Sequence, residues 1–291
     1  MVPLYVRGVE SMKIGVIGTG NMGTILIEAW LETKTLEPAN LLITNRTLSK
    51  ALALQEKYAC IEVTETAVDI AKRADVIFIC VKPLQIHNLL QVIKPYINKD
   101  QLLVSITSPL SVAQLEHEVP CSCARFIPSI TNRACSGVSL LSYSKACLPK
   151  WRSYLHELAR KISTPVVINN NITRVSSDIV SCGPAFFSFF AQSFIDAACQ
   201  STEIDRKTAT ILTEKMLMGL GDLLSKGIYT LPTLQEKVSV KGGITGEGIK
   251  VLEAAKLHEV FSELLKATHE KFDEDIEEIE KQFRYDYNIR N

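Results

Sequence analysis

The stretch KIGVIGTGNMG, residues 13–23, decides the fold of this chain. A short β-branched run leads into the glycine-rich turn GTGNMG, and the residues after it, GTILIEAWLE, have helical spacing. In this context the glycines of GxGxxG allow a tight turn, close approach of backbone to a pyrophosphate, and helix packing. We therefore predict a dinucleotide-binding unit, the alternative being a glycine-rich turn without a ligand. The residues predicted to bind the cofactor are Gly18, Thr19, Gly20, Asn21, Met22 and Gly23.

Strand and helix patterns alternate through the first half of the chain. NLLIT, ADVIFICV, LLVSI, CARFIP and PVVIN have strand composition, and SKALALQEKY and WRSYLHELARKIS have helical spacing. This alternation predicts βαβ units and a doubly wound parallel sheet. The fold class is thus α/β plus all-α. We predict an N-terminal arm at 1–11, a Rossmann domain at 12–168, a helical domain at 169–285 and a tail at 286–291, with Met12 as an alternative first residue.

The second half shows only helical patterns. Pro184 suits a first helical turn, and the helix it begins, PAFFSFFAQSFIDAACQ, is apolar nearly all round and should be buried. A second helix is predicted from an Asp205 cap to Gly227, and a third from about Glu247 to Phe283. Three helices cannot easily enclose so many phenylalanines. We therefore expect a homodimer, with a higher assembly of dimers left open.

Composition excludes several classes of protein. Lys plus Arg and Asp plus Glu number 32 each, without a basic stripe, so no nucleic-acid partner is expected. The eight cysteines form no CxxC pair and the five histidines no HExxH pattern, so we predict reduced thiols and no metal site. Neither a signal peptide nor an apolar run of ~20 residues is found. These observations predict a cytoplasmic protein without membrane contact, whose partner is a small molecule.

Two further strand ends point to the cofactor. An NAD site usually has Asp or Glu after the second strand, to bind the ribose hydroxyls, but this chain reads TNRT, with Asn45, Arg46 and Thr47. Arg46 can fork onto a 2′-phosphate, which favours NADP (NADPH) over NAD; the alternative is an ordinary surface arginine. The next strand ends in Val81, Lys82 and Pro83, where open α/β sheets bind ligands.

Taken in order, IGTGNMG, TNRT, VKP, SCGPAFF and KGGIT resemble the pyrroline-5-carboxylate reductase family, and within it the ComER late-competence branch of bacilli. The resemblance covers residues 12 to about 270. It implies an N-terminal NADP domain and a C-terminal helical dimerisation domain. It also implies hydride transfer from NADPH to the C=N bond of 1-pyrroline-5-carboxylate, which gives proline.

The resemblance further implies that a late glycine-rich loop, from the partner subunit, grips the substrate carboxylate. Thr245 is carried over as the catalytic residue, a substrate hydrogen-bonder and proton donor. The loop departs from the family's Ser-Pro-Gly-Gly-Thr-Thr at Val240, Lys241 and Ile244. Loss of the serine hydroxyl removes a bond to a charged group worth about 1.5–3 kcal/mol. The residues expected to bind substrate are Ser239, Lys241, Gly242, Gly243, Ile244 and Thr245.

Two functions remain open. The first is an NADPH-dependent reductase of pyrroline-5-carboxylate or a related cyclic imino acid. The second is an NADP-binding regulatory protein of the ComER type that has lost turnover, favoured by the altered loop and by IPSIT at 127–131. A β-hydroxyacid dehydrogenase is disfavoured because its usual lysine base is absent between Ser181 and Gln200. Cys182 has no histidine near it in sequence and is interpreted as structural.

Overall fold

The computed structural model describes residues 12–240 and 242–289, with side chains as far as Phe283. The predicted arm, Lys241 and the last two residues lie outside the described residues. The chain forms two compact units: the Rossmann unit, Met1–Pro184 with Thr268–Asn291, and the helical unit, Ala185–Ala267. The domain boundary after residue 168 follows the last predicted strand and stays a prediction, since packing groups the residues differently.

The Rossmann unit contains an eight-stranded sheet of order β3-β2-β1-β4-β5-β6-β7-β8. Its strands are β1 Ile14–Ile17, β2 Leu41–Thr44, β3 Glu62–Val63, β4 Val76–Ile79, β5 Leu102–Ser105, β6 Ser122–Ile127, β7 Val138–Tyr143 and β8 Thr164–Val167. Neighbouring strands are parallel except β6 and β7. The helices that follow them are α1 Asn21–Glu32, α2 Leu48–Lys57, α3 Ala67–Arg73, α4 Pro83–Ile93, α5 Val112–Glu118 and α6 Pro149–Arg160. The predicted Rossmann fold is confirmed, with β3 and β7 as strands the sequence did not reveal.

Two apolar clusters cover the two faces of the sheet. Alternate residues of β4 belong to different clusters, Phe78 to one and Ile77 to the other, as the strand period requires. In the first cluster the rings of Trp30, Phe78 and Phe126 meet at centroid distances of 5.0–6.3 Å. These contacts of buried aromatic rings attach α1 to β4 and β6 of the sheet.

Arg125 on β6 is a buried cation that ties the sheet to a helix. Its guanidinium donates to Ser108 O at 2.8 Å and Thr173 Oγ1 at 2.6 Å, and its other acceptors are also uncharged oxygens. Burial lowers the pKa of Arg125 to about 10, because the charged form loses its water. The fold tolerates the charge because this group's donors are largely satisfied.

The helix predicted to begin at Pro184 begins earlier, which corrects that expectation. Helix α7, Thr173–Ser177, continues through a π-helical turn, Asp178–Cys182, into α8, Gly183–Ser201. Proline has no N–H to donate to the carbonyl four residues before it, here Val180. That carbonyl instead accepts the Ser129 hydroxyl at 2.7 Å. A distant hydroxyl thus supplies the bond that proline removes, which the local sequence could not indicate.

The π-helical turn is also fixed by charge. Asp178 is buried, pairs with Arg174 at 2.7 Å and accepts the Thr268 hydroxyl at 2.9 Å. Arg174 also lies over the ring of Phe272. Further along, Ile279 is buried against the Rossmann unit's core. The part of α12 from Thr268 to Phe283 therefore packs within this unit.

The helical unit contains most of α8, then α9 Arg206–Ser225, α10 Leu231–Val238, α11 Ile244–Ala254 and the start of α12 Leu257–Ile289. The predicted Asp205 cap is confirmed: its carboxylate accepts from Thr208 N at 3.0 Å. The single helix predicted from Glu247 to Phe283 is wrong. It is broken at Lys256, whose φ of 50° is left-handed, and neither Gly nor Pro marks the break in the sequence.

Helix α8 is not buried within one chain, which agrees with the expectation that three helices cannot enclose its phenylalanines; its burial in a dimer stays a prediction. The side chains of Phe189 and Phe194 are 76% and 62% exposed, and Phe187 stacks on Phe261 at 6.4 Å. An apolar face of this size on a single chain is typical of an interaction site.

The helical stretch Asn170–Ser201 is long and apolar enough to cross a membrane by length and composition alone, with a mean hydropathy of 1.2. Among the described residues, one stretch meets this criterion, whereas the sequence analysis had predicted no membrane span. The core helix of a soluble protein meets the same criterion, and this stretch contains the ion pair of Arg174 and Asp178. The finding is weak evidence for a membrane span.

We predict that Arg125→Met destabilises the protein by about 2–4 kcal/mol, because buried carbonyl and hydroxyl oxygens lose their donor. Urea unfolding measures the change. Arg160→Met is the matched control, since Arg160 is exposed and its ion pair among the described residues is with Glu157 on its own helix; it should cost about 0.5 kcal/mol or less. Equal losses for the two variants would contradict a structural role for the buried cation.

Candidate functional site

A cleft of about 590 Å³ opens at the carboxyl ends of β1, β2 and β4. Strand β1 lies between the other two, so the chain leaves the sheet in different directions around this point, where α/β folds bind ligands. The lining residues are Ile17, Gly18, Gly20, Thr44, Asn45, Arg46, Thr47, Leu48, Lys50, Glu65, Ala67, Cys80, Val81, Lys82, Gln85, Asn88 and Leu89. The cleft therefore brings together the three loops that the sequence analysis singled out.

The glycine-rich turn has no room for a side chain at two of its three glycines. Gly18 has φ +107°, and a Cβ on it would lie 2.6 Å from Cys80 O. A Cβ on Gly23 would overlap the carbonyl oxygen of Gly18, so this glycine allows α1 to pack closely against the turn. Gly20, by contrast, faces open space, with nothing within 4 Å of a Cβ. A pyrophosphate can approach the backbone at Gly20.

The start of α1 provides hydrogen-bond donors for an anion. Gly20 is the N-cap and makes no side-chain cap, so the first amides of the helix, at Asn21, Met22 and Gly23, have no acceptor within the helix. Thr19 Oγ1 is buried and has no partner among the described residues. These features fit the pyrophosphate of a dinucleotide.

Two cations lie beside the end of β2. Arg46 and Lys50 are exposed, line the cleft and form no ion pair within the described residues. Sequence reasoning missed Lys50, although its place in the first turn of the helix that follows TNRT was a usable signal. A guanidinium and an ammonium together fit a phosphate monoester such as the 2′-phosphate of NADP. The carboxylate of Glu65, also missed, lies in the lining of the same cleft.

The loop after β4 closes the cleft. Lys82 is the N-cap of α4 and Pro83 occupies its first turn, where a missing N–H costs nothing. Burial raises the pKa of the Cys80 thiol to about 12, so this part of the lining stays uncharged.

The structure separates the predicted cofactor residues into two groups. Gly18, Gly20, Asn45, Arg46, Thr47, Val81 and Lys82 line the cleft, whereas Thr19, Asn21, Met22, Gly23 and Pro83 do not. The side chain of Asn45 is already engaged: its amide oxygen accepts from Thr19 N, and its amide nitrogen donates to Thr47 O. Like Gly23, Asn45 therefore contributes to the shape of the site.

The late glycine-rich loop lies in the helical unit. Gly242 has φ +74°, and Gly243 is the N-cap of α11, with no side-chain cap. A Cβ on Gly243 would lie 2.8 Å from Val240 Cγ2. The left-handed backbone therefore favours glycine at Gly242, whereas a side chain at Gly243 would require Val240 to shift.

The side chains of this loop face solvent in the single chain. Ile244 is 94% exposed and Val240 65%. Thr245, in the first turn of α11, is exposed and its hydroxyl makes no hydrogen bond within the described residues. Ser239 is different, because its hydroxyl is buried without a described partner. The uncapped start of α11 next to a free hydroxyl can hold an anionic group.

No group of three or more His, Cys, Asp or Glu side chains within the described ranges could hold a metal ion. The eight cysteines are free thiols without disulfides. The thiol of Cys123 donates a hydrogen bond to Cys121 O at 3.6 Å.

We predict that Gly23→Ala destabilises the cofactor-free protein by about 1–3 kcal/mol, because its methyl group must displace the Gly18 backbone. Gly20→Ala is the matched control, since it adds the same methyl group where space is open; it should change the thermal midpoint little. Similar midpoints for both variants would contradict the packing role assigned to Gly23.

Two family models match successive parts of the chain. The model described as NADP oxidoreductase coenzyme F420-dependent matches residues 13–109. The model described as pyrroline-5-carboxylate reductase dimerisation matches residues 170–275. The first match covers β1–β5 with the cleft, and the second covers the helices from α7 into α12.

Relatives and solved structures agree with these matches. ComE operon protein 4 of Bacillus subtilis (strain 168) is 52% identical over 272 residues, which cover 94% of this chain and 99% of the relative. Pyrroline-5-carboxylate reductase 3 of the same organism is 29% identical over 93% of this chain and 99% of its own length.

Solved structures share the fold at lower identity. The pyrroline carboxylate reductase of Plasmodium falciparum, with NADP bound, has a TM-score of 0.81 at 22% identity over 92% of this chain and all of that chain. A pyrroline-5-carboxylate reductase from Coxiella burnetii gives 0.83 at 23% identity over 91% and 99%. As its motifs predicted, the chain belongs to the pyrroline-5-carboxylate reductase family of NAD(P)-dependent oxidoreductases, in the branch that includes ComE operon protein 4.

Proposed function

We propose that this protein is an NADPH-dependent reductase of 1-pyrroline-5-carboxylate or a related cyclic imino acid. The observation that carries the proposal is Thr245. Its hydroxyl is exposed at the uncapped start of α11 and makes no described bond within its own chain, so packing does not account for it.

The choice of NADP rests on the cations beside β2. Arg46 and Lys50 can bind the 2′-phosphate from two directions, and the acidic residue that would favour NAD is absent after β2. Asn21, Met22 and Gly23 would bind the pyrophosphate through their free amides. When bound, NADPH supplies the hydride for the reaction.

The residues of the late loop would act on the substrate. The first amides of α11, at Ile244 and Thr245, would bind its carboxylate, and the Thr245 hydroxyl would bond to or protonate the ring nitrogen. Reduction of an imine needs orientation and one proton, so no histidine or lysine base is required. Lys241, which lies outside the described residues, is proposed as a further cation for the carboxylate.

We propose a homodimer in the cytoplasm as the working form. The match to a dimerisation family and the exposed phenylalanines of α8 support the dimer, because a second chain can cover this apolar face. A higher assembly of such dimers stays a prediction.

A second candidate is an NADP-binding regulatory protein without turnover. Val240 and Ile244 favour it, since each places an exposed apolar side chain where a loop that grips a carboxylate would be polar. The 52% identity to a protein named for the ComE operon is compatible with this role, linked to competence.

We expect purified protein to oxidise NADPH in the presence of 1-pyrroline-5-carboxylate, and Thr245→Ala to lower kcat/KM about 10- to 100-fold by removing a hydrogen bond to the substrate. Thr164→Ala is the matched control, because this exposed threonine lies on the edge strand β8; it should keep full activity. Tight NADPH binding without turnover of pyrroline-5-carboxylate or other cyclic imines would contradict the proposed reductase activity and support the regulatory candidate.

We also expect Arg46→Ala and Lys50→Ala each to weaken NADPH binding about 10-fold or more while NADH binding stays within about twofold, because only NADPH carries the 2′-phosphate. Fluorescence titration of the purified protein measures both affinities. Lys99→Ala, an exposed lysine outside the cleft lining, is the control for a general loss of positive charge. Equal weakening of NADPH and NADH would refute the assignment of the phosphate site.

A further inference from the structure

We propose that Asn45 is a positioning residue that fixes the spacing between the glycine-rich turn and the loop after β2, and that it is not itself a ligand of the cofactor. The proposal rests on the proposed binding of NADP. It changes the interpretation of a residue whose place in the sequence predicts direct contact with the ribose.

The amide of Asn45 joins two loops through both of its polar atoms. Its Oδ1 accepts from Thr19 N at 3.1 Å, across 26 positions of the chain, and its Nδ2 donates to Thr47 O at 2.9 Å. Thr19 belongs to the turn proposed to hold the pyrophosphate, and Thr47 to the loop proposed to hold the 2′-phosphate. One side chain therefore connects the two phosphate sites.

This bridge extends the sheet beyond its last backbone bond. At the ends of β1 and β2 the ladder finishes with Gly18 N donating to Thr44 O at 2.8 Å. Asn45 follows Thr44 directly, and Thr19 follows Gly18, so the side-chain bond continues the pairing by one residue on each loop. The loops leave the sheet at this point, where the backbone can no longer hold them together.

An amide suits this position better than a carboxylate. An aspartate could accept from Thr19 N, but it could not donate to Thr47 O, because an ionised carboxylate only accepts. It would also put a negative charge beside Arg46, where a phosphate is expected to bind. Asparagine keeps the bridge and leaves the cleft without that charge.

A positioning role makes a different prediction from direct contact. Both NADPH and NADH carry the pyrophosphate and the adenine ribose, so a change in loop spacing weakens both. A ligand of the 2′-phosphate affects NADPH alone. The comparison of the two nucleotides thus separates positioning from a contact with the 2′-phosphate. A contact with the ribose would weaken both nucleotides, but it would leave hydrogen exchange at Thr19 N–H unchanged in the cofactor-free protein, whereas loss of the bridge would not.

The experiment is titration of Asn45→Ala with NADPH and with NADH, beside wild type and Arg46→Ala. We expect Asn45→Ala to weaken both nucleotides by similar factors, about 5- to 30-fold, and Arg46→Ala to weaken NADPH alone. Amide hydrogen exchange of the cofactor-free protein provides a readout independent of binding. Exchange at Thr19 N–H should be faster in Asn45→Ala and close to wild type in Asn45→Asp, which keeps the acceptor.

Several outcomes would overturn the proposal. Weakening of NADPH alone in Asn45→Ala would make Asn45 a phosphate ligand, and unchanged affinity for both nucleotides would leave it no part in binding. If the wild type binds neither nucleotide, the proposed binding of NADP is wrong, and the bridge has no cofactor site to position. Unchanged Thr19 exchange in Asn45→Ala would then show that the bridge itself is absent. A circular dichroism spectrum like that of wild type verifies that each variant is folded.

Discussion

The close approach of Gly23 to the Gly18 carbonyl is the contact on which the rest of the site depends. A side chain at Gly23 would overlap that oxygen, so α1 can reach its place only with glycine there. At the other end of the same helix, Trp30 packs against both Phe78 and Phe126. The helix is thus held by the absence of a side chain at its start and by a large one near its end. As a result the N-cap of this helix, Gly20, lies in the lining of the cleft.

The parts of the fold that the sequence predicted are those specified by neighbouring residues. Strand composition, helical spacing and a glycine motif act over a few positions, so the strands that carry the cleft and the helix cap at Asp205 could be identified. The parts that it did not predict depend on distant partners. The helix continues through Pro184 because Ser129 bonds to the Val180 carbonyl. Likewise, Arg125 is buried because loops remote in sequence supply its acceptors.

In the candidate site, too, some features are specified by neighbouring residues and others depend on distant partners. Residues at the ends of β1, β2 and β4 were predictable, because the carboxyl ends of parallel strands meet at one edge of the sheet. The direction in which each side chain points was not predictable from the sequence. Asn45 turns toward Thr19, a partner that only the folded sheet brings near, and Lys50 reaches the cleft because α2 starts beside it. Position in the sequence identified the loops, and tertiary contacts decided which side chains shape the site and which are free to bind.

The same reasoning changes the weight of the residues in the late loop. Gly242 and Gly243 match the family's loop, but a left-handed φ favours glycine at Gly242 in a loop of any function, and at Gly243 a side chain would crowd Val240. They are therefore weak support for catalysis. Thr245 has no such structural reason, since its hydroxyl is exposed and makes no described bond in its own chain. Ile244 is almost fully exposed, so its replacement of a polar residue changes what the loop presents to a ligand more than how the described unit packs. The choice between a reductase and a regulatory protein thus depends on one threonine hydroxyl set against two exposed apolar side chains beside it.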